Sequence, residues 1–137
     1  MKVKEVKNGY LIVLERGEEV VKSLTDFAKK QHLEGGEIHG IGGVTNVTLG
    51  FFDTKKKEYI RQRFDANFEL LSLVGNISLL EGNPFCHLHA VISGGNFSVF
   101  GGHLFEATIS VTAEIYIRVQ PKVERQPNPD IGLNLIN

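Results

Sequence analysis

The chain of 137 residues has no tryptophan, one methionine and one cysteine, Cys86. A lone cysteine excludes an internal disulfide framework and fits a reducing compartment. No apolar run approaches the ~20 residues that a membrane span requires, and the first residues lead into a strand pattern without a secretory signal. We therefore expect a cytoplasmic protein that has no membrane partner.

The sequence also has no excess of positive or of negative charge. Lysine and arginine number 15 against 16 aspartates and glutamates, a net charge of -1, so the chain has no general attraction to nucleic acid. Its length and its 42% hydrophobic content predict a single globular domain over residues 1–137.

Hydrophobic periodicity predicts an α+β fold, mainly an antiparallel sheet with one principal helix. The helix is predicted over 18–32, where Val20, Leu24, Phe27 and Ala28 recur at helical spacing, and Gly35-Gly36 is expected to end it. Asn8-Gly9 is a two-residue hairpin signal. Further strands are predicted over 38–52, 58–64, 68–80 and 106–119, and a hairpin is predicted over 85–104.

The residues from Pro121 onwards form a tail over 121–137. Its prolines lie among charges and are not expected to continue a sheet ladder. Its last residues, 131–136, are largely apolar. We expect this end to dock, against the domain or against a neighbouring subunit.

Three histidines lie close together around one predicted hairpin. His87 and His89 alternate on a strand and so project to one face. If Gly94-Gly95-Asn96 forms a three-residue loop, Ser93 pairs with Phe97 and the same register places His87 opposite His103.

Three imidazoles on one patch suit a divalent metal ion. A catalytic zinc site takes three protein ligands and leaves a fourth position open, which His87, His89 and His103 can provide. Neutral imidazole favours Zn²⁺, with nickel, copper or iron as alternatives. The competing interpretation is three unrelated histidines, each with its own hydrogen bonds.

An enzyme would also need a proton donor or acceptor beside a metal-bound water. Glu69 and Glu114 are the carboxylates inside apolar strands, and they are our candidates; an outward-facing residue or a salt bridge is the alternative for each. Arg61 and Arg63 alternate on one strand and could clamp a substrate carboxylate, or form an ion pair at the sheet edge.

Five segments together resemble the prokaryotic form of the PCC domain (plants and prokaryotes conserved, also called PPC). They are Leu-Glu-Arg-Gly-Glu at 14–18, Gly-Ile-Gly-Gly-Val at 40–44, Phe-Glu-Leu-Leu-Ser-Leu-x-Gly-Asn-Ile at 68–77, His-Leu-His-Ala at 87–90 and Gly-Gly-His-Leu at 101–104. The resemblance implies a compact α+β domain built round an antiparallel sheet and assembled as a homotrimer.

Plant relatives carry an AT-hook ahead of this domain, and this sequence has none. Direct DNA binding is therefore not expected. A more distant similarity, in fold and ligand pattern, is to the acetolactate decarboxylases, which also hold zinc through His-x-His and a later His. Two functions follow: a trimeric protein with a three-histidine zinc site that binds or transforms a small molecule, or a non-catalytic regulatory or assembly module associated with DNA-binding functions.

Overall fold

One helix and nine strands make up the chain in the computed structural model, which describes residues 1–137. In chain order they are β1 (Lys2–Val6), β2 (Gly9–Glu15), α1 (Val20–Lys30), β3 (Gly36–Asp53), β4 (Glu58–Phe64), β5 (Phe68–Leu80), β6 (Asn83–Ser93), β7 (Val99–Val119), β8 (Glu124–Asn128) and β9 (Leu133–Ile136). The predicted α+β class, with an antiparallel-dominated sheet and one helix, is confirmed.

The strands join into one sheet in the order β1-β2-β7-β3-β5-β8-β9, with β4 on β3 and with β6 between β5 and β7. Every pair is antiparallel except β5 with β8. Because β3 and β6 each bond to both β5 and β7, these four strands form a closed circuit. The inner face of this circuit packs against the hydrophobic core. Its outer face points away from the core.

Alternation along β6 shows which residues face the core. Cys86, Leu88, Ala90 and Ile92 are all buried, so the intervening histidines project to the outer face. Helix α1 packs its buried face, which includes Leu24, into the same core.

The helix is shorter at both ends than the sequence predicts. Glu19 is its N-cap, and the Glu19 carboxylate accepts hydrogen bonds from the backbone N–H groups of Val21 and Lys22. At the other end His32 adopts φ 53°, and the N–H of Leu33 bonds to the carbonyl of Ala28. A left-handed histidine therefore ends the helix, rather than Gly35-Gly36.

Two strand predictions also change. The first hairpin is shifted by one residue, because Val6 pairs with Gly9 and Asn8 takes the left-handed turn position at φ 62°. The second arm of the hairpin predicted over 85–104 and the strand predicted over 106–119 form one continuous strand, β7. This strand pairs with β6 near its start and with β2 near its end. Shifts of register against β3 allow this long strand to serve both partners.

The tail adds two strands to the sheet. Glu124 and Arg125 pair with Leu79 and Leu80 of β5, and β9 folds back on β8. The expectation that the prolines stay outside the ladder is wrong for Pro127, which lies in β8 opposite Asn134. The pairing of β8 with β5 ends at Arg125, before Pro127. Pro127 therefore has no β5 neighbour, and its missing backbone N–H costs no hydrogen bond to β5. No helix has the length and apolar character needed to cross a membrane.

Candidate metal centre

The β6–β7 hairpin brings the histidines together, but in a different register from the predicted one. The loop spans residues 94–98, Ser93 pairs with Val99, and His89 rather than His87 lies opposite His103. The Asn96 side chain accepts a hydrogen bond from the N–H of Ser98, and Phe97 adopts φ 63°. These features make the loop two residues longer than the glycine pattern indicates.

All three imidazoles nevertheless form one cluster. The ring centroids of His87 and His89 are 5.1 Å apart, those of His87 and His103 5.2 Å, and those of His89 and His103 5.6 Å. One potential ligand atom from each residue lies within 4.8 Å of the other two. The cluster contains no carboxylate or thiol ligand.

Burial keeps two of these imidazoles, those of His87 and His103, neutral. Desolvation is the main cause that lowers the pKa of His103 to about 4, and the neighbouring histidines add to it. Desolvation also lowers the pKa of His87, with a further contribution from the positive charge of Arg125. A metal ion requires neutral imidazole, so both rings are in the binding form at neutral pH.

The residues present fit a tetrahedral ion. Nitrogens at 2.0–2.1 Å from zinc are separated from one another by about 3.4 Å, so the 4.8 Å cluster needs only small side-chain movements to close on an ion. In addition, Nδ1 of His103 is buried and has no hydrogen-bond partner. Buried polar atoms are rarely left in this state, and an ion or ligand bound there would give the nitrogen a partner.

Close approach of strands at glycine residues supports the cluster. A Cβ on Gly102 would lie 2.7 Å from the carbonyl oxygen of Gly50, and a Cβ on Gly75 would lie 2.0 Å from that of His87. Glycine is therefore required beside two of the three histidines. Gly101 and Gly102 stay in regular register with β6, so they form no bulge on that side.

The tail places a guanidinium next to the cluster. Arg125 is only 8% exposed, and its Nη2 lies 2.9 Å from Oδ1 of Asn76 and 3.3 Å from Nδ1 of His87. Its Nε donates to Oγ of Ser78 at 2.8 Å, and its Nη1 donates to the carbonyl of Asn134 at 3.0 Å.

A cavity of about 340 Å³ opens beside His87 and His103. Tyr59, Arg125 and Asn134 are the other residues of the cavity that carry polar groups. Burial raises the pKa of the Tyr59 hydroxyl. The remaining wall is largely apolar, and the tail supplies Leu133 and Leu135 to it. The docked tail thus forms part of the site.

The structure does not bring Glu69 and Glu114 to the histidines. Both line a separate cavity of about 470 Å³ on the outer face, which contains no histidine. Glu69 pairs with Ser93, about 13 Å along β6 from His89. Glu114 lies two residues along β7 from Tyr116, which is itself three strands away from His89.

The two candidate arginines separate as well. Arg63 forms ion pairs with Asp65 at 2.6 Å and with Glu106 at 2.8 Å. Arg61 instead lies with its guanidinium carbon 3.8 Å from the centroid of the Phe105 ring. Sequence reasoning missed Arg125, since an arginine among prolines and charges carries no pattern that distinguishes it from a solvated one.

Comparison with known proteins identifies the family. The profile of the Plants and Prokaryotes Conserved (PCC) domain matches residues 1–120. The chain belongs to the PCC domain family. None of the curated proteins compared with this PCC domain matches it.

Solved structures agree with this assignment. A plant- and prokaryote-conserved (PPC) protein from Pyrococcus horikoshii is 36% identical, with a TM-score of 0.89 over 99% of this chain and 93% of the other. A protein from Bacteroides thetaiotaomicron, named as a proposed DNA-binding protein, is 32% identical, with a TM-score of 0.96 over 99% and 96%. A metal-containing protein from Archaeoglobus fulgidus is 32% identical, with a TM-score of 0.88 over 97% and 95%.

Proposed function

We propose that this PCC domain is a cytoplasmic homotrimer in which His87, His89 and His103 hold a divalent transition metal ion, Zn²⁺ by preference, and that the metal centre binds or transforms a small molecule. The observation that carries the proposal is the convergence of three ligand atoms within 4.8 Å on the outer face of the sheet. The metal-containing relative from Archaeoglobus fulgidus supports it.

Three imidazole ligands determine what an ion would do at this site. Because neutral ligands leave its charge uncompensated, a bound ion would act as a Lewis acid and acidify a bound water. The chain itself supplies aromatic neighbours, because the rings of Tyr59 and Phe105 have their centroids 4.9 Å and 4.7 Å from that of His103. It also supplies a positive charge, through Arg125.

Metal analysis of the purified protein tests the centre. We expect close to one transition-metal ion per chain in the wild type and a loss of at least tenfold in a His87→Ala/His89→Ala double variant. His39→Ala is the matched control, because His39 lies on the same outer face but stacks on Tyr116, away from the cluster. Equal, negligible metal in the wild type and the double variant would remove the proposal.

The number of three subunits is proposed from the family resemblance, and association as such is supported by the outer face of the sheet. It exposes apolar side chains that a monomer would leave in water, among them Ile41 at 57%, Leu71 at 49%, Val74 at 49% and Val111 at 72% exposed. Contiguous apolar surface of this kind marks an interaction site. Sedimentation analysis should give three times the monomer mass.

An acid–base role for Glu69 and Glu114 stays a prediction. Within one chain neither reaches the histidine cluster, so such a role requires a neighbouring subunit to bring one of them to it. An acetolactate-decarboxylase-like architecture is likewise proposed, on the basis of the His-x-His and later His on a largely antiparallel sheet.

The second candidate function is a non-catalytic regulatory or assembly module associated with DNA-binding functions. The name of the Bacteroides relative and the exposed apolar face favour it. A mobility-shift assay at physiological salt separates the two, since a domain of net charge -1 is expected to bind DNA poorly. Tight and salt-sensitive binding would reverse our ranking.

A further inference from the structure

We propose that the cavity beside His87 and His103 binds a small organic carboxylate, and that Arg125 is the group that binds the carboxylate oxygens. This inference rests on the proposed function and deepens it, because it names the class of ligand at the same site. Its basis is a buried positive charge without an acidic partner, in a cavity whose wall is apolar.

Arg125 is buried, yet only neutral atoms accept its hydrogen bonds. Its acceptors belong to Ser78, Asn76, Asn134 and His87, and none of the ion pairs of the chain includes it. Buried charges in proteins are normally paired. A guanidinium has five N–H donors, so one N–H and the whole positive charge remain available to a ligand.

Metal binding would release a second donor. Arginine can only donate, so its contact with Nδ1 of His87 requires that nitrogen to be unprotonated. If Nε2 of His87 holds the ion, Nδ1 carries the proton and can no longer accept from Arg125. Two guanidinium N–H groups then become free, which matches the two oxygens of a carboxylate.

The surroundings of the cavity are positive. No aspartate or glutamate lines it. A second guanidinium, that of Arg61, stacks on Phe105 in the cavity wall and has no ion pair in the chain. A metal ion on three neutral histidines would add to this charge. An anion is therefore attracted whether or not the metal is bound.

The wall of the cavity selects an organic anion over an inorganic one. Its apolar lining comprises Val21, Phe85, Leu104, Phe105, Leu133 and Leu135. The volume of about 340 Å³ lies within the range of small-molecule sites. An inorganic anion gains nothing from such a wall, whereas the chain or ring of a small carboxylic acid is removed from water there.

Calorimetric titration with hexanoate and with the neutral, nearly isosteric hexanamide tests the proposal, on metal-free protein and on protein loaded with zinc. We expect hexanoate to bind at least tenfold more tightly than hexanamide. Leu133→Trp fills the cavity and should abolish binding of hexanoate. Ile136→Trp, on the same strand but 48% exposed, should bind hexanoate as the wild type does.

Arg125→Gln should remove the preference for the acid over the amide. If this variant loses its docked tail, the acid–amide comparison and the two tryptophan variants decide the matter without it. Equal affinity for acid and amide, no binding of either, equal binding by both tryptophan variants, or inorganic phosphate binding as tightly as hexanoate would each overturn the proposal.

The same titrations separate the two proposals. Binding of hexanoate to a protein that takes up no metal would refute the metal centre and leave the carboxylate site standing. Metal uptake without binding of hexanoate would refute the carboxylate site and leave the metal centre standing.

Discussion

Replacement of Gly75 by alanine is expected to damage both the sheet and the metal centre. Gly75 lies in β5 opposite Leu88 of β6. A Cβ there would be 2.0 Å from the carbonyl oxygen of His87 and 2.9 Å from Cδ2 of Leu88, whereas ordinary contacts begin at 3.4 Å. The two strands must therefore move apart by more than 1 Å beside a candidate metal ligand.

The size of the effect follows from what this movement breaks. Overpacking costs about 1–3 kcal/mol, and each weakened backbone hydrogen bond adds about 0.5–1.5 kcal/mol. We expect Gly75→Ala to lower the free energy of unfolding by roughly 2–5 kcal/mol. With a urea m-value of about 2 kcal/mol/M, the unfolding midpoint should fall by about 1–2.5 M.

Urea unfolding followed by circular dichroism, in a chelating buffer, measures the change. Gly95→Ala is the matched control, because a Cβ on Gly95 has nothing within 4 Å; its midpoint should stay close to that of the wild type. Metal content should fall in Gly75→Ala and not in Gly95→Ala. Equal midpoints for the two variants would show that β5 and β6 are not packed as described.

Three further predictions concern the tail, the histidines and the outer face. Arg125→Met removes the side-chain hydrogen bonds from β8 to Ser78 and Asn76. Hydrogen exchange of the backbone over 124–137 should therefore accelerate at least tenfold, while exchange in α1 stays unchanged. Unaltered exchange over 124–137 would mean that backbone pairing alone holds the tail. Burial lowers the pKa of His103 to about 4 in the folded metal-free chain. As the pH drops, His103 is therefore protonated in the unfolded chain before it is protonated in the folded chain. The free energy of unfolding should fall as the pH drops from about 6.5 to 4. Urea midpoints at both ends of that range should show a smaller fall in His103→Gln, and parallel losses would contradict this. Val74→Asp should dissociate the proposed trimer, as measured by sedimentation. Val3→Asp, at a similarly exposed position on β1, should leave it intact. A monomer mass for the wild-type protein would refute the proposed assembly.

The strand pattern and the histidine cluster are largely local properties, and the sequence predicts them. Alternation along β6 determines that His87 and His89 share a face. Turn residues determine that the chain reverses between this strand and the next, which returns His103 to the same region. The exact register was not predictable, because it depends on the left-handed conformation of Phe97 and on the Asn96 side chain.

Only the tertiary structure determined the surroundings of that cluster. Arg125 and Leu133 are distant from the histidines in sequence, and they reach the cavity because β8 pairs in parallel with β5. Glu69 and Glu114 do lie in largely apolar strands, as the sequence indicates. The pairing of these strands nevertheless places both carboxylates at a cavity other than the one beside the histidines. Side-chain alternation is a property of neighbouring residues, whereas the joining of strands from distant parts of the chain is decided by the packing of the whole core.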